Sequence, residues 1–219
     1  MTTTEPNHAP PSPGRISLLG DSTVADLGLE RGIYGWGQFF GELFPEAAIS
    51  NFAVSGASTK SFLTLDSYQE ACAAPSDYWL IQFGHNDMKD HDPARFTEPA
   101  TTYPENLRTM IAAARALGAQ PILVTSPHRL SFDESGVPTE ELLPYVNAMK
   151  IVAEEDGLPL IDLHALSGGV IKGLGPDRVA WITATDKGDN THFTALGARL
   201  IGTLVAQALQ SILRERAGT

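Results

Sequence analysis

A chain of 219 residues, 42% hydrophobic and 19% charged, suits one α/β domain with a sizeable core and is too short for two comfortable ones. No apolar run approaches the roughly 18 residues of a membrane span, and a formal charge of −11 repels nucleic-acid phosphates and anionic membrane surfaces, so neither partner is expected. Its one cysteine, Cys72, excludes an internal disulfide and reads as a packing residue.

Residues 1–13 are polar and Pro-rich, with neither the basic start nor the apolar centre of a secretory signal. They read as a disordered lead-in to a domain over 14–219, and the protein as cytoplasmic. The apolar run 15–19 then stops at Gly20 and places Ser22 two residues later, the pattern of a strand that ends in a tight turn with its hydroxyl facing a cleft. Residues 25–33 form a loop, and Tyr34 to Gln38 open a helical stretch through Leu43 that Pro45 ends. Within it Trp36 either stacks on a sugar or pins the helix to the core.

The short strand 49–53 leads into a small-residue turn over 54–60, where Gly56 supplies a positive φ, a close backbone approach to a ligand, or both. A helix is predicted over 67–74. The nearly continuous apolar run 78–83 suits a central strand covered on both faces. It ends in Gly84-His85-Asn86-Asp87, and the carboxyl edge of a parallel sheet is where ligands bind. An amphipathic helix follows over 104–117, with Leu107, Ile111, Ala114 and Leu117 on one stripe and Gly118 as its stop. Strand 121–125 exits through Ser126-Pro127-His128-Arg129, where Arg129 serves either substrate recognition or a surface salt bridge.

A helix over 139–155, a strand over 158–162 and a helix or loop through Leu174 complete the alternation. Asp189-Asn190-Thr191-His192 then precedes a last helix over 195–214, with Leu196, Leu200, Leu204, Leu209 and Ile212 as its apolar positions. Strands alternating with helices at these intervals indicate a three-layer α/β/α sandwich around a mostly parallel five-stranded sheet.

The strand-end loops carry an acyl-transfer inventory. A serine hydroxyl needs a base, and His192 can be that base. Asp189, three residues earlier, can hold the other ring nitrogen. The amides of Ser22 and Gly56 and the side chain of Asn86 can receive an oxyanion. Asp21 can bond backbone amides beneath the nucleophile loop, and Asn86 and Asp189 each have an ordinary use in a turn or helix cap. A metal-dependent hydrolase drawn from Asp21, His85, Asp87, His91, His128 and His192 is disfavoured, because none stands in a recognised ligand spacing.

At these blocks the sequence resembles the SGNH hydrolases, also called GDSL-like esterases. Gly20-Asp21-Ser22-Thr23-Val24, Tyr34-Gly35-Trp36-Gly37, Asn51-Phe52-Ala53-Val54-Ser55-Gly56, Phe83-Gly84-His85-Asn86-Asp87 and Thr191-His192-Phe193-Thr194 are most similar to the rhamnogalacturonan acetylesterases. The resemblance implies a flavodoxin-like sheet of order 2-1-3-4-5 and removal of acetyl groups from acetylated pectin sugars without metal or cofactor. It implies Ser22 as nucleophile, His192 as base, Asp189 as its orienting acid, and Ser22, Gly56 and Asn86 as oxyanion donors. Trp36, His85 and Arg129 are the candidate substrate contacts. The expected partner is a small acetylated oligosaccharide, with other short acyl esters such as acetylated xylan fragments as the alternative.

Overall fold

The structure is a computed structural model, described over residues 14–184 and 188–217; the expected lead-in lies outside the described residues. β1 (Arg15–Gly20), β2 (Ala48–Asn51), β3 (Tyr78–Gln82), β4 (Gln120–Val124) and β5 (Leu160–Ile161) form one parallel sheet in the order β2-β1-β3-β4-β5. This is the order that the resemblance implied.

The central strands read as continuous apolar runs because each face is covered, and their period of two divides the residues between two cores. Leu19, Ile81 and Leu123 face one side, with α1 (Thr59–Phe62), α2 (Asp66–Ala73), α3 (Thr102–Ala116) and α4 (Leu143–Glu155). Leu18, Leu80 and Ile122 face the other, against a 3₁₀ segment (Trp36–Leu43) and α6 (Ala195–Ala217), while α5 (Leu163–Leu174) lies beyond β5. Cys72 is partly buried against the first core, as a packing residue should be.

Several boundaries move, each for a local reason. The helix expected over 139–155 starts at Leu143, with Pro144 in the first turn, where its missing N–H costs no helical bond. The turn expected over 54–60 gives way to α1 at Thr59, because the Ser58 and Ser61 side chains bond each other's backbone amides in a capping box. The helical stretch expected through Leu43 is present, as a 3₁₀ segment over Trp36–Leu43. Leu117 is 42% exposed at the end of α3 and leaves the predicted stripe.

Helix α6 carries the largest correction. Its buried face is Gly197, Ala198, Ile201, Gly202, Val205, Ala206, Leu209 and Leu213, whereas Leu196 is exposed. Small residues lie there because neighbouring backbone comes so close: a Cβ at Gly197 would stand 1.8 Å from the Ile182 carbonyl oxygen. By length and mean hydropathy alone α6 also meets the measure of a membrane span. Much of that apolar character is the face it turns to the sheet.

Candidate active site

The site lies at the carboxyl ends of β1, β2 and β3. Gly20 must be glycine, since a Cβ would meet Val24 Cγ2 at 2.5 Å and the Gln82 carbonyl oxygen at 2.8 Å. The chain then turns tightly, with the Val24 and Ala25 amides both donating to the Asp21 carbonyl at 3.1 and 3.0 Å. Asp21 is wholly buried beneath this turn, and its Oδ1 accepts from the Thr23 amide at 2.8 Å and the Thr23 hydroxyl at 2.7 Å. Burial works against its charge, but the facing His85 and the two Thr23 bonds prevail and hold the carboxyl below its ordinary value.

That turn presents Ser22 Oγ to His192 Nε2 at 2.7 Å, and His192 Nδ1 stands 2.6 Å from Asp189 Oδ2. A carboxylate only accepts, so Nδ1 carries the proton and Nε2 is left with the lone pair that receives the Ser22 hydroxyl. Asp189 Oδ1 also accepts from the Thr191 and His192 amides, at 2.9 and 3.0 Å. Its burial favours the neutral acid, but these amide bonds and the imidazole outweigh it and keep the carboxyl below its usual range. The loop is held from three sides: Tyr34 N donates to Phe193 O, Ala184 N to His192 O and Leu130 N to Asn190 O, at 3.0, 3.1 and 2.9 Å.

The three expected oxyanion donors sit on turns tied to one another. Val54 N donates to Gly20 O at 3.0 Å, and Asn86 Nδ2 donates one hydrogen to Ala57 O at 3.0 Å, leaving its second N–H. Gly56 has φ +80°, so it satisfies the left-handed turn that its sequence context suggested. Lys89 Nζ donates to Asn86 Oδ1 at 2.8 Å and so fixes which end of the amide points outward. The sequence does not single out Lys89, since no motif marks a lysine whose role is to orient an asparagine. Burial, reinforced by the neighbouring charges of Arg95 and Arg129, lowers its ammonium from the usual value. Arg95 lies over the Gly56 turn, 3.5 Å from where a Cβ would stand.

Two expected substrate contacts are corrected. Trp36 is 1% exposed, and its indole N–H donates to Gln82 Oε1 at 2.7 Å. Gln82 Nε2 in turn donates to Thr23 Oγ1 at 2.6 Å, so the tryptophan braces the Ser22 turn from inside the core. His85 is 2% exposed, with Nδ1 facing Asp21 Oδ2 at 3.5 Å, and likewise lies beneath the turn. Arg129 keeps 18% of its side chain exposed, with Nη1 3.8 Å from Glu141 Oε2. Trp36 and Trp79 are buried, so among the three tryptophans only Trp181 offers its ring to solvent.

Residues 18–200 match the GDSL-like lipase/acylhydrolase family. Rhamnogalacturonan acetylesterase RhgT of Bacillus subtilis (strain 168) is 38% identical over 215 residues, covering 91% of each chain. The probable rhamnogalacturonan acetylesterase YesY of the same organism is 37% identical, over 92% of this chain and 98% of its own. Among solved structures, the YXIM protein of Bacillus subtilis superposes with a TM-score of 0.79 at 27% identity, covering 90% of this chain and 56% of that longer one. The acetylxylan esterase Axe2 of Geobacillus stearothermophilus shares the fold, with a TM-score of 0.69 at 19% identity over 92% of this chain and 96% of its own.

Proposed function

The chain belongs to the GDSL-like lipase/acylhydrolase family, and from that premise we propose that it is a serine acetylesterase that deacetylates rhamnogalacturonan fragments. The observation that carries the chemistry is the relay from Ser22 Oγ to His192 Nε2 to Asp189 Oδ2, at 2.7 and 2.6 Å.

In the first step Ser22 Oγ attacks the acetyl carbonyl carbon as its proton passes to His192 Nε2. Asp189 stabilises the imidazolium without itself taking the proton. The carbonyl oxygen becomes an oxyanion that accepts from the Ser22 and Gly56 amides and the free N–H of Asn86. Collapse of this intermediate expels the sugar oxygen, which leaves with the proton from His192, and an acetyl group stays on Ser22. Water, deprotonated by the same nitrogen, then releases acetate and restores the serine.

The substrate class rests on two supports. The 38% identical relative is named for rhamnogalacturonan, and three cations, Lys89, Arg95 and Arg129, stand near Asn86 in a protein of charge −11, two of them already facing acids, Arg95 with Asp92 and Arg129 with Glu141. A uronate-bearing chain suits that local field better than neutral xylan. The test is acetate release by the purified protein and its Ser22→Ala variant from acetylated rhamnogalacturonan, acetylated xylan and aryl acetate. Wild type is expected to act fastest on rhamnogalacturonan, and the variant to lose at least about a thousandfold with its fold intact. Undiminished hydrolysis by Ser22→Ala removes the mechanism, whereas preference for xylan removes only the substrate class.

A further inference from the structure

Away from the triad, His128, His164 and Glu140 bring one ligand atom each to a common point, with all three atoms within 4.8 Å of one another. We propose that they form a binding site for a divalent transition-metal ion of the zinc type, distinct from the hydrolytic site and independent of the acetylesterase reading. His128 leaves the end of β4 and His164 lies in the first turn of α5. Glu140 arrives from the loop between β4 and α4.

The contacts of the two rings leave room for a cation. His128 Nδ1 lies 2.7 Å from the Arg129 carbonyl oxygen and His164 Nδ1 lies 3.3 Å from that of Ser126. The Arg129 carbonyl accepts the His128 Nδ1 hydrogen, which leaves that neutral ring an Nε2 lone pair, whereas His164 makes its shorter contact through Nε2, whose hydrogen Glu140 Oε2 accepts. Both Nε2 atoms face the same carboxylate oxygen, Glu140 Oε2, at 3.5 Å from His128 and 2.9 Å from His164. A metal ion would take the place of the one hydrogen between His164 and Glu140 and would also use the His128 lone pair. The two rings stack with centroids 4.6 Å apart and planes 19° from parallel, so a shared ion would turn their Nε2 atoms towards one point. One dication answers all three donors at once.

The spacing also fits. Ligand atoms about 2.0–2.1 Å from a tetrahedral zinc stand roughly 3.3 Å apart; the two distances to Glu140 Oε2 bracket that value, and the histidine nitrogens lie within 4.8 Å of each other. The imidazoles are firmly placed: their side chains are 3% and 7% exposed, against 53% for Glu140. His128 N donates to Ser167 Oγ and His164 N to Thr125 Oγ1, both at 2.8 Å. Gly168 leaves room for the His128 ring, since a Cβ there would stand 3.1 Å from its Cδ2. Backbone acceptors behind each imidazole are the usual outer shell of metal-bound histidine. A cleft of about 360 Å³ opens beside the three residues and gives a fourth position to water. Occupied, the site would clip the loop after β4 to α5. The same loop bonds the triad segment through Leu130.

The test uses the full chain stripped with chelator and titrated with zinc and, separately, cobalt(II). Calorimetry should find one equivalent of zinc, cobalt should develop the visible bands of a tetrahedral site, and zinc should raise the unfolding midpoint. His164→Gln and Glu140→Gln should each weaken zinc binding by about 100-fold or more, since even outer-shell losses cost roughly 10–100-fold. Glu140 is half-exposed, so its variant reads out the site without a core defect, with circular dichroism as the check. His91→Gln should bind as wild type does. Absence of stoichiometric uptake would mean that a proton alone sits between these groups and would overturn the proposal, as would uptake undiminished in both site variants.

Discussion

His192 can accept a proton from Ser22 only while its Nε2 lone pair is free, and that depends on what Asp189 offers the other nitrogen. Asp189→Asn keeps the size of the side chain but can present an N–H to Nδ1, which would move the ring hydrogen to Nε2 and face it towards the hydroxyl. We expect kcat to fall about 10⁴-fold with little change in KM, as when the same exchange is made in a serine protease triad. Steady-state kinetics on aryl acetate check this, and a loss below tenfold would show that Asp189 does not set the tautomer. At this scale the grouping of Ser22, His192 and Asp189 was legible because each stands in a short block that ends a strand or precedes a helix. The supporting residues were not. Trp36 and His85 carry polar atoms that suit a ligand, but which way a side chain turns is set by partners distant in sequence, here Gln82 and Asp21. Lys89 was invisible for a different reason: its partner Asn86 is only three residues away, but the contact depends on how the turn between them folds and no residue pattern marks it.

The triad loop owes its position to elements that share no chemistry with it. Thr194 Oγ1 caps the start of α6 by accepting from Gly197 N at 3.1 Å, and Thr194 N donates to Ile182 O at 3.1 Å. Gly197 lets α6 press against Ile182 two residues before Ala184, whose amide holds the His192 carbonyl. Ordinarily Gly→Ala inside a helix gains up to about 1 kcal/mol. Here the Cβ would stand 1.8 Å from backbone oxygen, so Gly197→Ala should instead cost about 1–3 kcal/mol by overpacking. It should lower kcat as well, because the displaced segment carries His192. Urea unfolding and aryl acetate kinetics measured together decide it, and a stabilised variant would refute the close approach. The strands and their alternation with helices were readable from apolar period and turn residues, and the strand order from the family resemblance. The face of α6 was not, because large residues signal burial whereas the closest contacts use glycine and alanine. Boundaries near 58 and 143 moved for a related reason, since capping bonds and a first-turn proline act on single residues, below the resolution of periodicity.

Two fully buried carboxylates under the sheet's carboxyl edge give the whole molecule opposing responses to pH. Asp21 is held below its ordinary value, so its contribution is present above about pH 3.8 and lost as pH falls further. Asp87 is the reverse case. Its oxygens accept from the Thr59 amide and from the Thr59 and Thr97 hydroxyls, joining α1 to the loop after β3. Burial nevertheless pushes it up to about 7, with the charge of Asp21 adding to the rise. The folded state therefore holds a proton that the unfolded chain releases near 3.8. Its stabilising effect is complete below that value, declines as pH rises towards 7 and is gone above it. We expect the urea midpoint of wild type to fall between pH 5 and pH 8, and Asp87→Asn to remove most of that slope. General repulsion in a chain of charge −11 also grows with pH, but salt screens surface charges and reaches a buried carboxyl much less. Measured at high ionic strength, a slope that survives in wild type and vanishes in Asp87→Asn assigns it to the buried acid. A slope equal in both proteins would assign it to the surface.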